Sequence, residues 1–267
     1  MANILELEDH IEKLDHLILA SEDWAKGYKD KPEVLAKLIK AEAKLGRIMR
    51  KYFRTLAKER VDKFINWQLY SAQLIKAYSY SLVVDVTEID SEQGELISLI
   101  HDPILEVVSL GALTAEAQYN IDLGLTTGNQ AILKQTTKYV GDLVKGVTDT
   151  TKDRIKQSID TSIRLGETMQ QASERLRDNG INDAYRAEMI ARTETVRAYN
   201  QGITVFGQES NATGKIWELS SAPCEICQEN DSGGEPIPFE DDYPSGDSEP
   251  PAHPNCRCGE SLVHSYE

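Results

Sequence analysis

Cys224-Glu-Ile-Cys227 and His253-Pro-Asn-Cys256-Arg-Cys258 are the two short runs on which the reading of this chain turns. All four cysteines and one of the five histidines of the 267-residue chain fall between positions 224 and 258, a cluster rather than a scatter. Two thiolates three positions apart can wrap one tetrahedral ion in a tight turn, and a second Cys/His pair at similar spacing completes four ligands. Zinc suits that donor set best. Cys224, Cys227 and Cys256 supply three ligands, and the fourth is either His253 or Cys258. The turn spacing of His-Pro-Asn-Cys repeats that of Cys-x-x-Cys and favours His253, whereas Cys256 and Cys258 would share one face of a strand. With four or five candidate ligands no position is left open for water or substrate, so the metal is expected to be structural rather than catalytic. The alternative is two disulfides. Met1-Ala-Asn-Ile4 runs into an acidic helix-like stretch without a basic region or apolar run, which does not resemble a secretory leader and favours the metal.

The residues flanking the cysteines alternate. Lys215-Ile-Trp-Glu-Leu219 reads as a strand, and Cys258-Gly-Glu-Ser-Leu-Val263 is expected to pair with it antiparallel. Between them, residues 228–252 hold Gly233-Gly234, Pro236, Pro238, Pro244, Pro250, Pro251 and many acids, and are predicted to form a loop without a core of its own. The metal would then replace the hydrophobic core that this piece lacks.

Upstream the texture is helical. Apolar residues recur at Ile4, Leu7, Ile11, Leu14 and Ile18 with the helical period, and Pro32 opens a pattern running from about Glu33 to about Val84. That length exceeds an ordinary globular helix, so interruptions are expected at Gly46 and at Val83-Val84-Asp-Val86. Asp102-Pro103 predicts a turn, followed by helices at roughly 104–124, 129–144, 148–164, 168–178 and 182–206. Thr148 and Asp149 are candidate N-caps, Thr168 and Gln171 have capping-box spacing, and Asn179-Gly180 is a stop. The fold class is therefore α+β, mainly α: a multi-helix array followed by a small zinc-stapled antiparallel β lobe. The expected organisation is an N-terminal helical region, 1–125, and a second domain, 126–267, made of helices over 129–206 and a metal-stapled lobe over 208–267.

Charge is unevenly spread. A formal net charge of −15 argues against coating nucleic acid as the main role, since phosphate would repel the chain overall. Yet 13 basic residues face 5 acidic ones from Lys26 to Lys63, while 2 face 13 from Glu209 to Glu267, so the two regions have opposite character. Lys44, Arg47, Lys51 and Arg54 belong to a helical face that is either simply solvated or a surface for an acidic partner. The nearby Tyr52, Phe53, Phe64, Trp67 and Tyr70 have the spacing of core. No apolar run is read as long enough to span a bilayer, and no membrane partner is expected.

The order of features carries a resemblance. Gly166-Glu-Thr-Met-Gln-Gln-Ala172 is followed by Ala191-Arg192-Thr193-Glu194-Thr-Val-Arg-Ala198-Tyr-Asn200-Gln-Gly202, then Lys215-Ile-Trp217, Cys-x-x-Cys and His-Pro-Asn-Cys-Arg-Cys. Over about 130–267 this series resembles the phage Mu F-like minor head proteins, the head-morphogenesis proteins of tailed phages. The resemblance implies a non-enzymatic virion component, assembled in the host cytoplasm and sited in the capsid interior or at the portal vertex. Its implied partner is the portal protein, with a scaffolding or major capsid protein also expected; if packaged DNA is touched at all, charge makes the basic helix over 26–63 the candidate surface. It also implies that Arg192 and Glu194 fix their helix against the metal-bearing segment, with Thr193 in the same motif and Asn200 bonding nearby backbone.

Two other classes compete. A metal-stapled phage nuclease would need a second, harder metal site, for which Asp241, Asp242 and Asp247 are the available carboxylates, held in a Pro/Gly loop unsuited to rigid coordination. A nucleic-acid-binding module built on the stapled lobe conflicts with that lobe's acidity.

Overall fold

The computed structural model describes Trp24 and residues 26–71, 93–181 and 184–264. The helix expected over Ile4–Leu19 and the interruption expected at Val83–Val86 lie outside them. The described residues are mainly helical, with a small three-stranded antiparallel sheet near the C-terminus.

A short α1 (Lys26–Lys29) precedes α2 (Pro32–Ser71), which Pro32 opens at the position where its missing N–H is not needed. Leu38, Leu45, Met49, Tyr52, Phe53, Leu56 and Phe64 bury one face of α2, so the nearby aromatics whose side chains are described are core, as their spacing predicts. The expected break at Gly46 does not occur. One glycine costs a helix about 1 kcal/mol relative to alanine, less than a single buried leucine or phenylalanine contributes, so the buried face carries the helix through it.

The turn expected at Asp102-Pro103 is also absent, because α3 (Gln93–Tyr119) runs straight through Pro103. Proline removes one hydrogen bond, but Leu96, Ile100, Ile104, Val107, Val108, Ala112 and Ala115 keep one buried stripe in phase across it. Joining the two apolar runs corrects a second expectation: α3 is long and apolar enough to cross a membrane by length and composition, with half of its most apolar window buried inside the protein.

The two helices predicted over 129–144 and 148–164 are one, α4 (Gln130–Leu165). Thr148 is buried inside it rather than capping it, and the Thr151 hydroxyl donates back to the Val147 carbonyl at 2.7 Å. Gly166, at φ +62°, stops α4. Thr168 then starts α5 (Met169–Arg175) with the predicted capping box: its hydroxyl accepts from the Gln171 N–H, and the Gln171 side chain accepts from the Thr168 N–H. A π-helical turn (Leu176–Ile181) follows, and α6 (Ala184–Glu209) completes the long helices.

The chain divides into two compact units, Met1–Leu45 with Pro103–Thr136 and Met189–Glu267, and Gly46–Asp102 with Thr137–Glu188. The second unit is organised around Arg186. Its guanidinium lies 4.6 Å from the Phe53 ring centre and donates to Thr151 Oγ1 at 2.9 Å and to the Val147 carbonyl at 3.0 Å. In the first unit α3 and α6 pass backbone to backbone. A methyl group on Gly111 would sit 2.0 Å from the Tyr199 carbonyl oxygen, and one on Gly202 would sit 2.0 Å from that of Val108.

Strands β1 (Gly214–Glu218), β2 (Ile237–Pro238) and β3 (Gly259–Val263) form an antiparallel sheet in the order β2-β1-β3. Trp217 opposes Glu260 and Lys215 opposes Leu262, so these four side chains share the buried face. Residues 228–252 are more than a loop. They finish α7 (Glu225–Asp231), make a 3-10 turn (Ser232–Gly234), supply β2, and bury Phe239 and Tyr243. Tyr243 meets Trp217 edge-on at 4.8 Å, and both pack with Cys227, Cys256 and Cys258. The lobe therefore owns a small core, because its aromatics turn inward while Glu235, Glu240, Asp241 and Asp242 stay outside.

Candidate metal centre

Cys224 is the N-cap of α7 and Cys227 lies one turn on, so a single helical turn aims both sulfurs the same way. Cys224 is exposed and Cys227 buried, and no cysteine is in a disulfide. His253, Cys256 and Cys258 come from the turn that leads into β3. There the Cys256 N–H donates to the His253 carbonyl at 3.2 Å, and Asn255 takes a left-handed conformation, φ +65°.

His253 Nε2 lies 3.2 Å from Cys224 Sγ and 3.3 Å from Cys227 Sγ, and Cys227 Sγ lies 3.6 Å from Cys256 Sγ. Two sulfurs bound to one tetrahedral ion at about 2.3 Å each are about 3.8 Å apart, so the Cys227–Cys256 spacing fits. The donors fall into two sets that share Cys227: Cys224, Cys227 and His253, and Cys227, Cys256 and Cys258. Either set could hold a metal ion. His253 and Cys258 thus both stand beside Cys227, one in each set.

The ring and sulfurs are prepared electronically. His253 Nδ1 is 2.9 Å from the Pro254 carbonyl; a carbonyl only accepts, so Nδ1 carries the proton and Nε2 offers its lone pair to the cluster. Hydrogen bonds from the Cys227 and Cys256 thiols bring Cys258 down to about 2, and the Ser220 N–H adds to this from 3.4 Å. Cys256, which its bond to Cys227 pulls down, is nevertheless pushed up to about 12 by Cys258 and by burial, and Cys227 is raised by both neighbours. Three crowded sulfurs cannot all ionise alone, whereas a bound cation stabilises every thiolate at once.

Of the motif residues on α6, Thr193 touches the metal-bearing turn directly: the Asn255 N–H donates to its hydroxyl oxygen at 2.9 Å. Arg192 lies 3.7 Å from Glu42, which also accepts from Arg257 of the cysteine segment at 3.0 Å. Glu194 meets Arg197 of its own helix at 3.3 Å. Asn200 donates to the Val196 carbonyl at 3.0 Å and accepts from the Tyr28 hydroxyl at 3.3 Å. In the basic set, Lys44 pairs with Glu106 at 3.2 Å, while Arg47, Lys51 and Arg54 are exposed. Among the described residues the two Cys/His sets are the only places where three metal-ligating side chains converge, and Asp241, Asp242 and Asp247 belong to neither.

Sequence reasoning missed the supports from the start of the chain. Buried Arg257 lies over Trp24, 4.5 Å from its ring, and the Tyr28 ring fills the space that a side chain at Gly259 would need. Nothing local marks Trp24, Tyr28 or Glu42 as neighbours of residues more than 200 positions away. A polar cluster behind the sheet was also missed. The Thr204 hydroxyl donates to Glu249 at 2.6 Å, the Tyr243 hydroxyl donates to Glu260 at 3.1 Å, and Lys215 donates to the Ser248 carbonyl. Burial and the nearby Glu249 charge push Glu260 up to about 8.

Residues 153–260 match the family described as Phage Mu protein F like protein. No curated protein and no solved structure matches the chain. The matched span runs from within α4 to β3 and takes in both cysteine runs and the Arg192-Thr193-Glu194 motif; over these residues the chain is similar to the phage Mu F-like proteins.

Proposed function

We propose that the chain is a minor head protein acting in phage head morphogenesis, a structural component of the virion rather than an enzyme. The match over 153–260 carries this reading, because it coincides with the part of the chain that builds the stapled lobe and its supporting helix. Zinc is the metal that the thiolate and imidazole donors favour. In this reading it knits α7 to the turn before β3, so that the acidic exterior of the lobe is displayed as a fixed surface. The portal protein is the expected partner, with the scaffolding or major capsid protein next, and Arg47, Lys51 and Arg54 provide the surface for packaged DNA.

The test is co-purification with the cognate portal protein, with the major capsid protein in parallel. Binding to the portal that fails when Cys227 is replaced supports the assembly reading, and absence of binding to either component removes it. A nuclease remains the second class, and cleavage of DNA by the purified metal-loaded chain would establish it instead.

A further inference from the structure

The candidate metal centre has one donor more than a tetrahedral ion uses, and two neighbouring sulfurs in it come from different segments. Cys227 Sγ on α7 and Cys256 Sγ in the turn before β3 are 3.6 Å apart, against about 2.05 Å in a disulfide, a gap that small side-chain rotations close once no ion holds the thiolates apart. Cys258 is a poorer partner for Cys256. It is two residues away, so a bridge would close a very short ring, and its sulfur already accepts the Ser220 N–H. Cys224 is within 4.8 Å of Cys227, but it caps the same helix, so a bridge between them would not join the two segments. A cavity of about 120 Å³ lined by Cys224, Cys227, His253 and Cys256 lets a small oxidant reach the buried pair.

We propose that Cys227 and Cys256 are a redox pair: when the metal leaves in oxidising surroundings, they form a disulfide that joins the same two segments. This rests on the metal reading above and extends it, giving the lobe a metal staple in a reducing cytoplasm and a covalent one outside it. The oxidant is a low-molecular-weight disulfide, RSSR. Cys227 thiolate attacks it, forming the mixed disulfide and releasing one thiolate. Cys256 thiolate then attacks the Cys227 sulfur and releases the second. The sum is two cysteine thiols plus RSSR giving one protein disulfide plus two RSH.

The experiment uses the full chain, with its metal counted by mass spectrometry before and after chelation. The chelated protein is exposed to oxidised glutathione, alkylated, and cut with trypsin and a glutamate-specific protease. Those cuts place Cys224, Cys227, Cys256 and Cys258 on four separate peptides, ending at Glu225, Glu229, Arg257 and Glu260. The expected result is loss of two of the four thiols and a cross-link between the Ile226–Glu229 and Asp241–Arg257 peptides, with the loaded protein protected. A dominant Cys224–Cys227 link, persistent mixed disulfides or four alkylated thiols would overturn the pair. Cys256→Ser should abolish the link; should that variant fail to fold, the wild-type peptide map decides. Absence of metal in the purified protein would instead overturn the metal reading, and the peptide map still reports on the pair.

Discussion

Thr193 and Asn255 lie 62 positions apart and are joined by one hydrogen bond, from the Asn255 N–H to the Thr193 hydroxyl oxygen at 2.9 Å. The same hydroxyl donates to the Met189 carbonyl of its own helix at 2.7 Å, so one side chain ties the turn between His253 and Cys256 to α6. Thr193→Val keeps the shape and leaves the Asn255 N–H without its acceptor, which should destabilise the lobe by about 1–3 kcal/mol. Thr193→Ser should restore most of that. Urea unfolding of the three proteins checks both; equal stability of the valine variant would refute the role.

Removing a shared ligand should act locally. Cys227 belongs to both donor sets, so Cys227→Ser is expected to lose the metal outright, whereas Cys224→Ser or Cys256→Ser loosens the C-terminal lobe without unfolding the N-terminal helices. Far-ultraviolet circular dichroism should show the helical signal nearly unchanged while the lobe becomes protease-sensitive. Equal loss of helicity across the chain would contradict this.

The crossing of α3 and α6 tolerates no side chain at two points. Gly202→Ala would drive a methyl group to 2.0 Å from the Val108 carbonyl oxygen, backbone that cannot swing aside. A loss at or above the upper end of the about 1–3 kcal/mol typical of overpacking is expected. Gly141→Ala is the control. It lies exposed in α4 with nothing within 4 Å, and should stabilise by about 0.5–1 kcal/mol. Thermal melts of the two variants should move in opposite directions.

An acid-sensitive joint lies between α4 and α5. Hydrogen bonds from Arg175 and from the Ser162 hydroxyl bring Glu167 down to about 2 from the usual 4.5. A carboxylate with a depressed folded-state pKa contributes stability that is fully present above about 4.5 and is lost as pH falls through about 2. Glu167→Gln should therefore lower the melting temperature at neutral pH and flatten its fall between pH 5 and pH 2. Parallel acid melts of wild type and variant would disprove the pairing.

How much was legible depends on range. Thr168 with Gln171 and the β1–β3 pair were readable because a cap and a strand alternation are decided within a few residues. The breaks expected at Gly46, Asp102-Pro103 and 144–148 were misread for a complementary reason. Local propensity counts a glycine or proline as a stop, but a buried stripe such as Leu96, Ile100, Ile104 and Val107 outweighs one lost hydrogen bond.

By itself the sequence determined that the cysteines and His253 form one cluster, that helices precede a small sheet, and that the C-terminal piece is acidic, since spacing, periodicity and charge are properties of the chain alone. Only the tertiary structure decided that Cys227 is shared by two donor sets, that Thr193 meets the turn, and that Trp24, Tyr28 and Glu42 brace Arg257 and Gly259. Those pairings are set by how whole helices and strands pack, and packing selects partners by shape and complementary charge, whatever their distance along the chain.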